Sequence, residues 1–345
     1  MATYLGFPFD PELFLLNWQA AEDPTLTAII DSGAVQNNST IQGLIANGSD
    51  LYTIPFYDVL SGTVLNYDGQ TDITSTETTG KSQSGIVFGR AASWSERQFV
   101  RDFNSGADPM KQITSQTAKF WQKQRQALML KILNGIFNIT DDATDAWDAW
   151  QLHTTNLAAS SGSIGDANKV GVASAAEAAQ KAVGDNSGVF SMAIMHSAVA
   201  LALAKQDQLE FRKGTDANGM TRRLNIADWN GMTVIVDDGA PATASEGISG
   251  ATEYTTYLFG AGAIQRAAAP VENAAEVSRD PHKNGGTNYL TTRIRETIHP
   301  NGFSFVIPAE GYTHSPTDAQ LASGANWKLA GNPKSIAIAR LITNG

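Results

Sequence analysis

A single long helical pattern over residues 108–138 constrains the fold of this chain most strongly. Asp108 and Pro109 favour a helix start. Aspartate can accept hydrogen bonds from the free backbone N–H groups of the first turn, and proline is tolerated at the first helical position because a backbone N–H there would have no partner. At 1.5 Å per residue, about thirty residues would span ~45 Å, more than a small domain needs. Apolar residues recur every three or four positions on one side, and Lys and Arg occupy the other without an acid between them. The pattern predicts a helix with one core face and one basic face.

The region before this helix, residues 51–105, is rich in Gly, Ser and Thr and shows no helical pattern. Its pattern predicts a strand over 51–60, a tip over 61–85 and a return strand over 86–94. A two-stranded projection is only marginally stable in water, so we expect this hairpin to lean on a neighbour.

Residues 1–50 contain two short helical patterns, 11–21 and 26–34, separated by polar Gly and Asn segments. Neither pattern has a second element to bury its apolar residues against. The region is therefore predicted to be an arm that lies on something else.

The chain from residue 165 onward mixes helical and strand patterns, which predicts an α+β module. No internal repeat is evident. The predicted helices are 174–183, 197–206 and 317–322, and the predicted strands are 190–195, 232–237, 254–259, 289–298, 302–307 and 336–342.

Composition excludes several classes of protein. With 345 residues and 42% hydrophobic content, the chain is long and apolar enough to form a core, as one large or two ordinary domains. The net charge of -10 argues against a protein that wraps nucleic acid with a basic face. The absence of cysteine excludes disulfides and thiolate metal sites, and no signal peptide or long apolar run is present. We expect a soluble protein that folds in a cytoplasm.

The apparent motifs for catalysis or cofactor binding lack residues that the corresponding chemistry requires. Gly80-Lys81-Ser82 resembles the end of a phosphate-binding loop, but the expected earlier glycine is Ser75. The acids of 141–148 lack the glycine of a calcium loop and are better explained as a helix start. No Gly-x-Ser-x-Gly elbow occurs, and the histidines have no ligand spacing. No catalytic residue, cofactor or metal is predicted; the five histidines are His153, His196, His282, His299 and His314.

Several short phrases, in the same order along almost the whole chain, together resemble the major capsid proteins of tailed bacteriophages. Each phrase alone is weakly specific, but the occurrence of all of them in the same order is more specific. The phrases are Ile54 to Gly62 (IPFYDVLSG), Asp108-Pro109-Met110, Phe120-Trp121, Phe259 to Ile264 (FGAGAI), His299 to Phe303 (HPNGF), and Pro316 to Ala322 (PTDAQLA) continuing to Asn326-Trp327.

The resemblance implies the Hong Kong 97-like fold: an N-terminal arm, an extended β-hairpin loop, a peripheral domain with a long spine helix, and an axial domain. The implied divisions are an arm over 1–50, an extended loop over 51–105, a peripheral domain over 106–164 with spine helix 108–138, an axial domain over 165–257, a peripheral sheet over 258–306 with a three-fold loop at 278–287, and a C-terminal segment over 307–345 that returns to the axial domain.

The resemblance also implies function: self-assembly as hexamers and pentamers into an icosahedral shell around double-stranded DNA, without sequence-specific binding. Portal and scaffolding proteins, and a decoration protein, are the implied partners; the place is the virion capsid, assembled in the host cytoplasm, with no membrane. The inter-subunit contact candidates are Phe7, Phe9, Phe14, Trp18, Ile54, Phe56, Tyr57, Lys81, Arg90, Arg279 and Asn284.

Two points stay open at this level. Some members of the resembled family link subunits covalently through Lys and Asn, for which Lys81 with Asn284 or Asn288 would serve, but no glutamate is indicated beside them, so we expect noncovalent association. The basic side of the spine helix could touch DNA or pair with acids such as those of 141–148, and we favour pairing. The rival functions are a cellular encapsulin-type nanocompartment shell and a soluble α+β enzyme with an unidentified site.

Overall fold

The described part of the chain contains six α-helices and nineteen β-strands. The computed structural model describes residues 3–4, 7–8, 33–57, 62–72, 75, 80–97, 109–140, 145–159, 161–171, 173–215, 221–245, 248–308 and 310–344. The helices are α1 (Ser39–Ile45), α2 (Pro109–Phe137), α3 (Asp145–Gln151), α4 (Ser174–Val183), α5 (Ser197–Lys205) and α6 (Asp318–Ala322). The strands are β1 (Thr3–Tyr4), β2 (Phe7–Pro8), β3 (Val35–Asn37), β4 (Leu51–Tyr57), β5 (Gly80–Ile86), β6 (Phe88–Arg97), β7 (Thr154–Asn156), β8 (Phe190–Met195), β9 (Glu210–Thr215), β10 (Thr221–Trp229), β11 (Met232–Val236), β12 (Ala242–Ala244), β13 (Thr252–Gly260), β14 (Ile264–Ala269), β15 (Ala275–Asp280), β16 (Thr287–Pro300), β17 (Phe303–Phe305), β18 (Trp327–Leu329) and β19 (Ile338–Thr343).

Helix α2 confirms the long helix predicted from the sequence. From Thr117 onward the predicted core side chains are buried, apart from half-buried Phe120, while Asp108 lies outside the described residues. The predicted stripe is too narrow, however, because Met129 and Leu130 are buried as well as Leu128. Three successive residues span about 200° of a helix, so this part of α2 is covered on more than one side.

An eight-stranded sheet forms the larger layer, in the order β7-β19-β13-β8-β11-β10-β9 with β12 beside β13. Alternate residues of its strands enter two different cores, as the two faces of a strand require. On β8, Met192 and Ile194 pack in the cluster that contains α2, whereas Ala193 and Met195 pack with α4 and α5. The sheet is thus buried on both faces, which explains why β8 reads as a nearly continuous apolar run.

A five-stranded sheet is organised around β16, which is fourteen residues long. Strand β6 pairs with one edge of β16 over 287–296, and β15 followed by β14 pairs with the other edge. Strand β3 extends the sheet in parallel with β14. This sheet was predicted from residues 258–306 alone, and the structure corrects this, since β3 and β6 come from earlier in the chain.

Two other boundaries drawn from the sequence also differ from the sheets. Strand β7 (154–156), assigned to the segment 106–164, pairs in parallel with β19 in the eight-stranded sheet. Strand β13 continues past the predicted boundary at 257 to Gly260, because its residues through Phe259 still pair with β19 and β8.

The return strand of the hairpin was predicted wrongly at 86–94. Strand β4 pairs with β5, in a register that joins Leu51 to Ile86 and Tyr57 to Gly80. Residues 88–97 instead form β6, which pairs with β16. The hairpin therefore closes earlier, and the chain then turns directly into the five-stranded sheet.

The C-terminal segment returns across the end of α2 through close backbone approaches. A Cβ atom on Gly135 would overlap the carbonyl of Leu321 and the Trp327 ring, and one on Gly324 would overlap the backbone of Asn138. The Trp327 indole N–H donates to the Leu321 carbonyl at 2.8 Å, which satisfies its buried donor. Strand β19 then enters the eight-stranded sheet beside β13.

Local element predictions fared best where a full pattern was present. Helix 174–183 and strand 190–195 are confirmed at both ends. Strands β9, β10, β14 and β15 were not predicted. Within the part of the chain that the structure describes, no helix is both long enough and apolar enough to cross a lipid bilayer.

Candidate assembly surfaces

The tip of the β4–β5 hairpin carries the most exposed large apolar side chains of the described residues. Tyr57 is 82% exposed, Val64 96% and Tyr67 92%. Asp68 shapes this tip, because its Oδ1 atom accepts hydrogen bonds from the backbone N–H groups of Gln70 at 2.9 Å and Thr71 at 2.7 Å. These hydrogen bonds lower the pKa of Asp68 to about 2, so the turn keeps its charge at neutral pH. The tip thus presents apolar groups on a structured turn.

The base of the same hairpin is packed onto β16 and β17. The Tyr52 hydroxyl lies 2.8 Å from Thr297 Oγ1, and the Tyr52 ring covers Gly85, where a Cβ atom would overlap it. Burial raises the pKa of Tyr52, so its hydroxyl stays neutral. Gln83 donates to Asn301 at 3.2 Å and accepts from the backbone N–H of the next residue, Gly302, at 2.9 Å. The base is therefore fixed to the body of the subunit.

A polar contact holds the chain just before β4. Asp50 Oδ2 accepts from the Tyr312 hydroxyl at 3.2 Å and lies 2.8 Å from His314 Nδ1. The hydrogen bond with His314 lowers the pKa of Asp50, although partial burial opposes it. Burial, with the Asp50 charge, raises the pKa of Tyr312 to about 12. The contact ties the hairpin base to the segment that leads into α6.

The turn between β15 and β16 forms a second projecting edge. Asn284 has a positive φ of 53°, a backbone conformation that asparagine tolerates, and Gly285 follows with a φ of 73°. Lys283 lies 5.7 Å from the centre of the Tyr289 ring. Thr287 Oγ1 donates to the Lys283 carbonyl at 2.9 Å and closes the turn. The turn is exposed yet has a defined shape.

A charged cluster joins β6, α2 and α6 within the subunit. Arg90 donates to Asp318 Oδ1 at 2.8 Å and to the carbonyl of Pro316 at 2.9 Å. Lys131 of α2 donates to the other carboxylate oxygen of Asp318 at 2.6 Å. The contacts resolved for Arg90 are therefore intramolecular, although the sequence placed it among inter-subunit candidates.

A buried carboxylate lies between two arginines where α2 crosses the five-stranded sheet. Glu296 is 1% exposed, and its Oε2 accepts from Arg125 Nε at 2.9 Å and from an Arg266 terminal nitrogen at 2.9 Å. Burial lowers the pKa of Arg125, and the Glu296 charge opposes that change. Nearby, the Trp121 indole N–H donates to Thr292 Oγ1 at 3.0 Å, and together these contacts fix α2 on β16.

The basic side of α2 pairs with acids in part, through Arg125 and Lys131, and the partners differ from those suggested. Arg125 binds Glu296 and Lys131 binds Asp318. Of the suggested acidic cluster, residues 141–144 lie outside the described residues. Sequence spacing could not identify the real partners, because they lie more than 160 positions away along the chain.

The predicted contact residues fall into three groups. Phe9, Phe14 and Trp18 lie outside the described residues. Ile54 and Phe56 are half-buried, and Ile54 packs on a small apolar cluster that includes α1. Phe7 lies in the short pairing of β1 with β2, and Arg90 is bound to Asp318. The remaining four are exposed: Tyr57 and Lys81 lie on the hairpin, and Arg279 and Asn284 lie at the β15–β16 edge.

Two exposed residues of the tip, Val64 and Tyr67, were missed as contact candidates. The sequence offered a signal, because an apolar residue between Gly, Asn and Asp in a predicted tip has nothing nearby to cover it. Among the two Asn candidates for a covalent link, Asn288 is only 2% exposed within β16, whereas Asn284 lies in the open turn.

Comparison with known proteins gives the same family at the level of sequence. The profile of the Gp13-like family, described as major capsid protein 13-like, matches residues 102–337. The major capsid protein of Bacillus phage SPP1 is 28% identical over 315 residues, which are 91% of this chain and 90% of that protein.

Solved structures agree at the level of fold. The capsid of Ralstonia phage GP4 matches with a TM-score of 0.62 at 12% identity, covering 100% of this chain and 98% of that one. The cyanophage Pam1 capsid matches with a TM-score of 0.51 at 12% identity, covering 91% and 89%. The fold is the Hong Kong 97-like fold that the family resemblance implied. The chain belongs to the Gp13-like family and is a major capsid protein of a tailed phage, the protein that forms the shell of the virion.

Proposed function

We propose that the protein assembles with itself, as hexamers and pentamers, into an icosahedral shell that encloses double-stranded DNA without reading its sequence. The observation that supports this best is the hairpin tip, where Tyr57, Val64 and Tyr67 are exposed on a projection whose strands pair only with each other. Unlike the hairpin base, these three side chains of the tip bury little surface within their own subunit. They become buried when another copy covers them.

Each such contact contributes a modest free energy of association, whereas the closed lattice, which combines many contacts, is stable. Burying one large apolar side chain contributes about 1.5–3 kcal/mol, and part of that gain is offset by the ordering of the interface. Contacts of this strength break and reform during growth, so misplaced copies can leave. The rings close only when every copy presents the same hairpin and the same docking surface.

The sheets support a division of labour within the shell. We assign the eight-stranded sheet with α4 and α5 to the axial domain, near the centre of each ring. The five-stranded sheet with α2 is the peripheral domain, and the turn within 278–287 contacts copies around the local three-fold axes. The arm, residues 1–50, and the hairpin, residues 51–86, reach neighbouring copies.

The remaining parts of the proposal concern partners and chemistry. A net charge of -10 suits a container that must release DNA, since a strongly basic lining would hold it. Portal and scaffolding proteins, and a decoration protein, are the proposed protein partners, and the chain performs no catalysis. Association is noncovalent: shells boiled in detergent should run as single subunits, and a ladder of linked subunits would contradict this.

The test replaces the three exposed side chains together: Tyr57→Ser, Val64→Ser and Tyr67→Ser. The matched control is Leu201→Ser on α5, a side chain 56% exposed outside the hairpin. Sedimentation and electron microscopy should show shells for the parent and control, and soluble small species for the triple variant. Normal shells from the triple variant would refute the role of the tip in assembly. Shells filled with protein cargo instead of DNA would refute the proposal that the shell encloses DNA.

A further inference from the structure

A groove beside α2 combines an apolar floor with a basic rim. Its volume is about 850 Å³, and it lies between α2, the β3–β14 pair and the loop after β11. Val35, Leu130, Ile264 and Ile298 contribute apolar lining. A space of this size suits a few large side chains rather than a folded domain.

The α2 side of this groove carries positive charge, and two aspartates, Asp237 and Asp238, line the opposite wall. Lys119 and Lys123 are exposed and lie four residues apart, on the same side of α2. Neither forms an ion pair within the described part of the chain, whereas Arg125 and Lys131, further along, already bind Glu296 and Asp318. On the opposite wall, Asp237 accepts from the Gln126 side chain at 2.6 Å. Asp238 accepts from the backbone N–H of Ser197 at 3.3 Å, so both aspartates already have hydrogen-bond partners, and the two lysines have no ion pair among the described residues.

The N-terminal segment of the same chain, residues 9–32, has the complementary composition. It contains five acids and neither lysine nor arginine: Asp10, Glu12, Glu22, Asp23 and Asp31. Its sequence predicts a helix over 11–21, and in a helix Phe14 and Trp18, four apart, share a face. Aromatic anchors at this spacing are typical of a helix that lies in an apolar groove.

The described structure resumes at Gly33, beside this groove. Val35 is one of the lining residues, and the backbone N–H of Ile264 donates to the Ala34 carbonyl at 3.0 Å. Fifteen residue steps separate Trp18 from Gly33 and span at most about 50 Å, so Trp18 can reach the groove. Such a tether gives a docking segment an effective concentration in the millimolar range.

We propose that the groove is the docking site for residues 9–32 of the same chain in the unassembled subunit. Phe14 and Trp18 enter the apolar floor, and the flanking acids face Lys119 and Lys123. The arm is thereby held on its own subunit until assembly offers it another surface. This proposal concerns one chain, so it stands or falls independently of the geometry of the shell.

The first test uses the absence of native cysteine in this chain. A Gln19→Cys, Ala127→Cys variant places one thiol beside Trp18 and one in the groove, and a short bis-maleimide linker joins thiols that come close. The matched control is Gln19→Cys with Ala176→Cys, an exposed alanine on α4, which does not line the groove.

Dilute, unassembled full-length protein should form the link within one chain many times faster in the groove pair than in the control, as seen by gel mobility and loss of both thiols. Linkage no faster than in the control would overturn the proposal. A linked product of dimer mass would also overturn it, since a second copy would then be the occupant.

The second test keeps the groove pair and changes the rim. Lys119→Glu with Lys123→Glu should slow linkage by roughly tenfold at low ionic strength, about threefold for each lost charge pair. The matched control, Lys181→Glu with Lys205→Glu on α4 and α5, should leave the rate unchanged. Equal rates in both variants would show that the lysines do not hold the segment and would overturn the charge part of the proposal.

Discussion

Two tyrosines of one hairpin meet opposite environments. Tyr52, at the base, is 5% exposed and contacts Thr297, Gly85 and the ring of His299 at 6.0 Å between ring centres. Tyr67, at the tip, is 92% exposed and follows the polar residue Asn66. The same residue type thus contributes to folding at one end and remains unburied at the other.

The difference teaches where each part of the hairpin gains its stability. At the base, removal of apolar surface from water occurs when the single chain folds, so the free energy of unfolding of the subunit reports it. In the proposed shell the apolar surface of the tip is buried only on association, so we expect the yield of shells, and not the stability of the subunit, to report it. Substitutions at the two ends should therefore separate folding from assembly.

The largest expected effect is that of Tyr52→Ala. Truncating a buried large aromatic residue costs about 3–5 kcal/mol, and Gly85 beneath the ring would lose its cover. Urea denaturation of the unassembled subunit should show this loss. Tyr67→Ala should change the free energy of unfolding by less than about 0.5 kcal/mol, as surface substitutions do, while it lowers the yield of shells. Equal destabilisation by both variants would erase the contrast between the two ends.

A pH effect of about 3 kcal/mol should arise beneath the base, at His299. Burial lowers the pKa of His299 to about 4, from an ordinary value of 6.5. The unfolded chain therefore binds a proton at a higher pH than the folded one. The stabilisation is complete above pH 6.5 and is lost as pH falls towards 4, at about 1.4 kcal/mol per pH unit.

Urea titrations between pH 7 and pH 4 measure this slope, and His299→Leu should flatten it. Burial also lowers the pKa of His153, so His299→Leu removes only part of the total slope. His196→Leu, at the more exposed start of α5, is the matched control and should leave most of it. An unchanged slope in His299→Leu would show that this histidine is not the group that titrates.

Replacing the buried carboxylate of the same strand, Glu296→Gln, should cost about 2 kcal/mol. Breaking a buried ion pair costs about 3–5 kcal/mol, and the partial exposure of Arg125 and Arg266 reduces the effect here. Glu276→Gln is the matched control, because its ion pair with Arg293 is exposed. A loss no larger than that of the control would show that water screens the Glu296 site.

Much of this fold could be predicted wherever the decisive contacts lie close in sequence. The apolar periodicity of 109–137, the Ala-rich pattern of α4 and the apolar run of β8 each carry their own signal. Strand β5 carries none, since GKSQSGI lacks β-branched and aromatic residues until Ile86, and it is a strand because β4 pairs with it. Strand β14, IQRAAA, likewise depends on β16.

The candidate surfaces were predictable in part for the same reason. Tyr57 was a candidate because it lies in a predicted hairpin that cannot bury its own apolar side chains, and Asn284 because the family resemblance implied a contact loop there; both residues are exposed in the structure. Arg90 was assigned to other subunits because its partner Asp318 lies 228 positions away and only the fold brings them together. A charged residue in a predicted strand does not reveal whether its partner belongs to the same chain.

The smallest effect is expected at the polar contact before β4, through Asp50→Asn. The hydrogen bond with His314 lowers the pKa of Asp50, so its stabilisation is present above the ordinary value of 3.8 and is lost as pH falls below it. Because the His314 side chain is largely exposed, the loss at pH 7 should be only about 0.5 kcal/mol. Hydrogen exchange at the Val87 amide, which donates to the Asp50 carbonyl at 2.8 Å, reports opening of the base directly. Asp166→Asn, which removes an exposed ion pair with Lys169, should leave that amide unchanged. Faster exchange at Val87 in Asp50→Asn alone would show that the Asp50 contact stabilises the hairpin base within the folded subunit. Equal exchange in both variants would show that Tyr52 and Gln83 hold the base without the Asp50 contact.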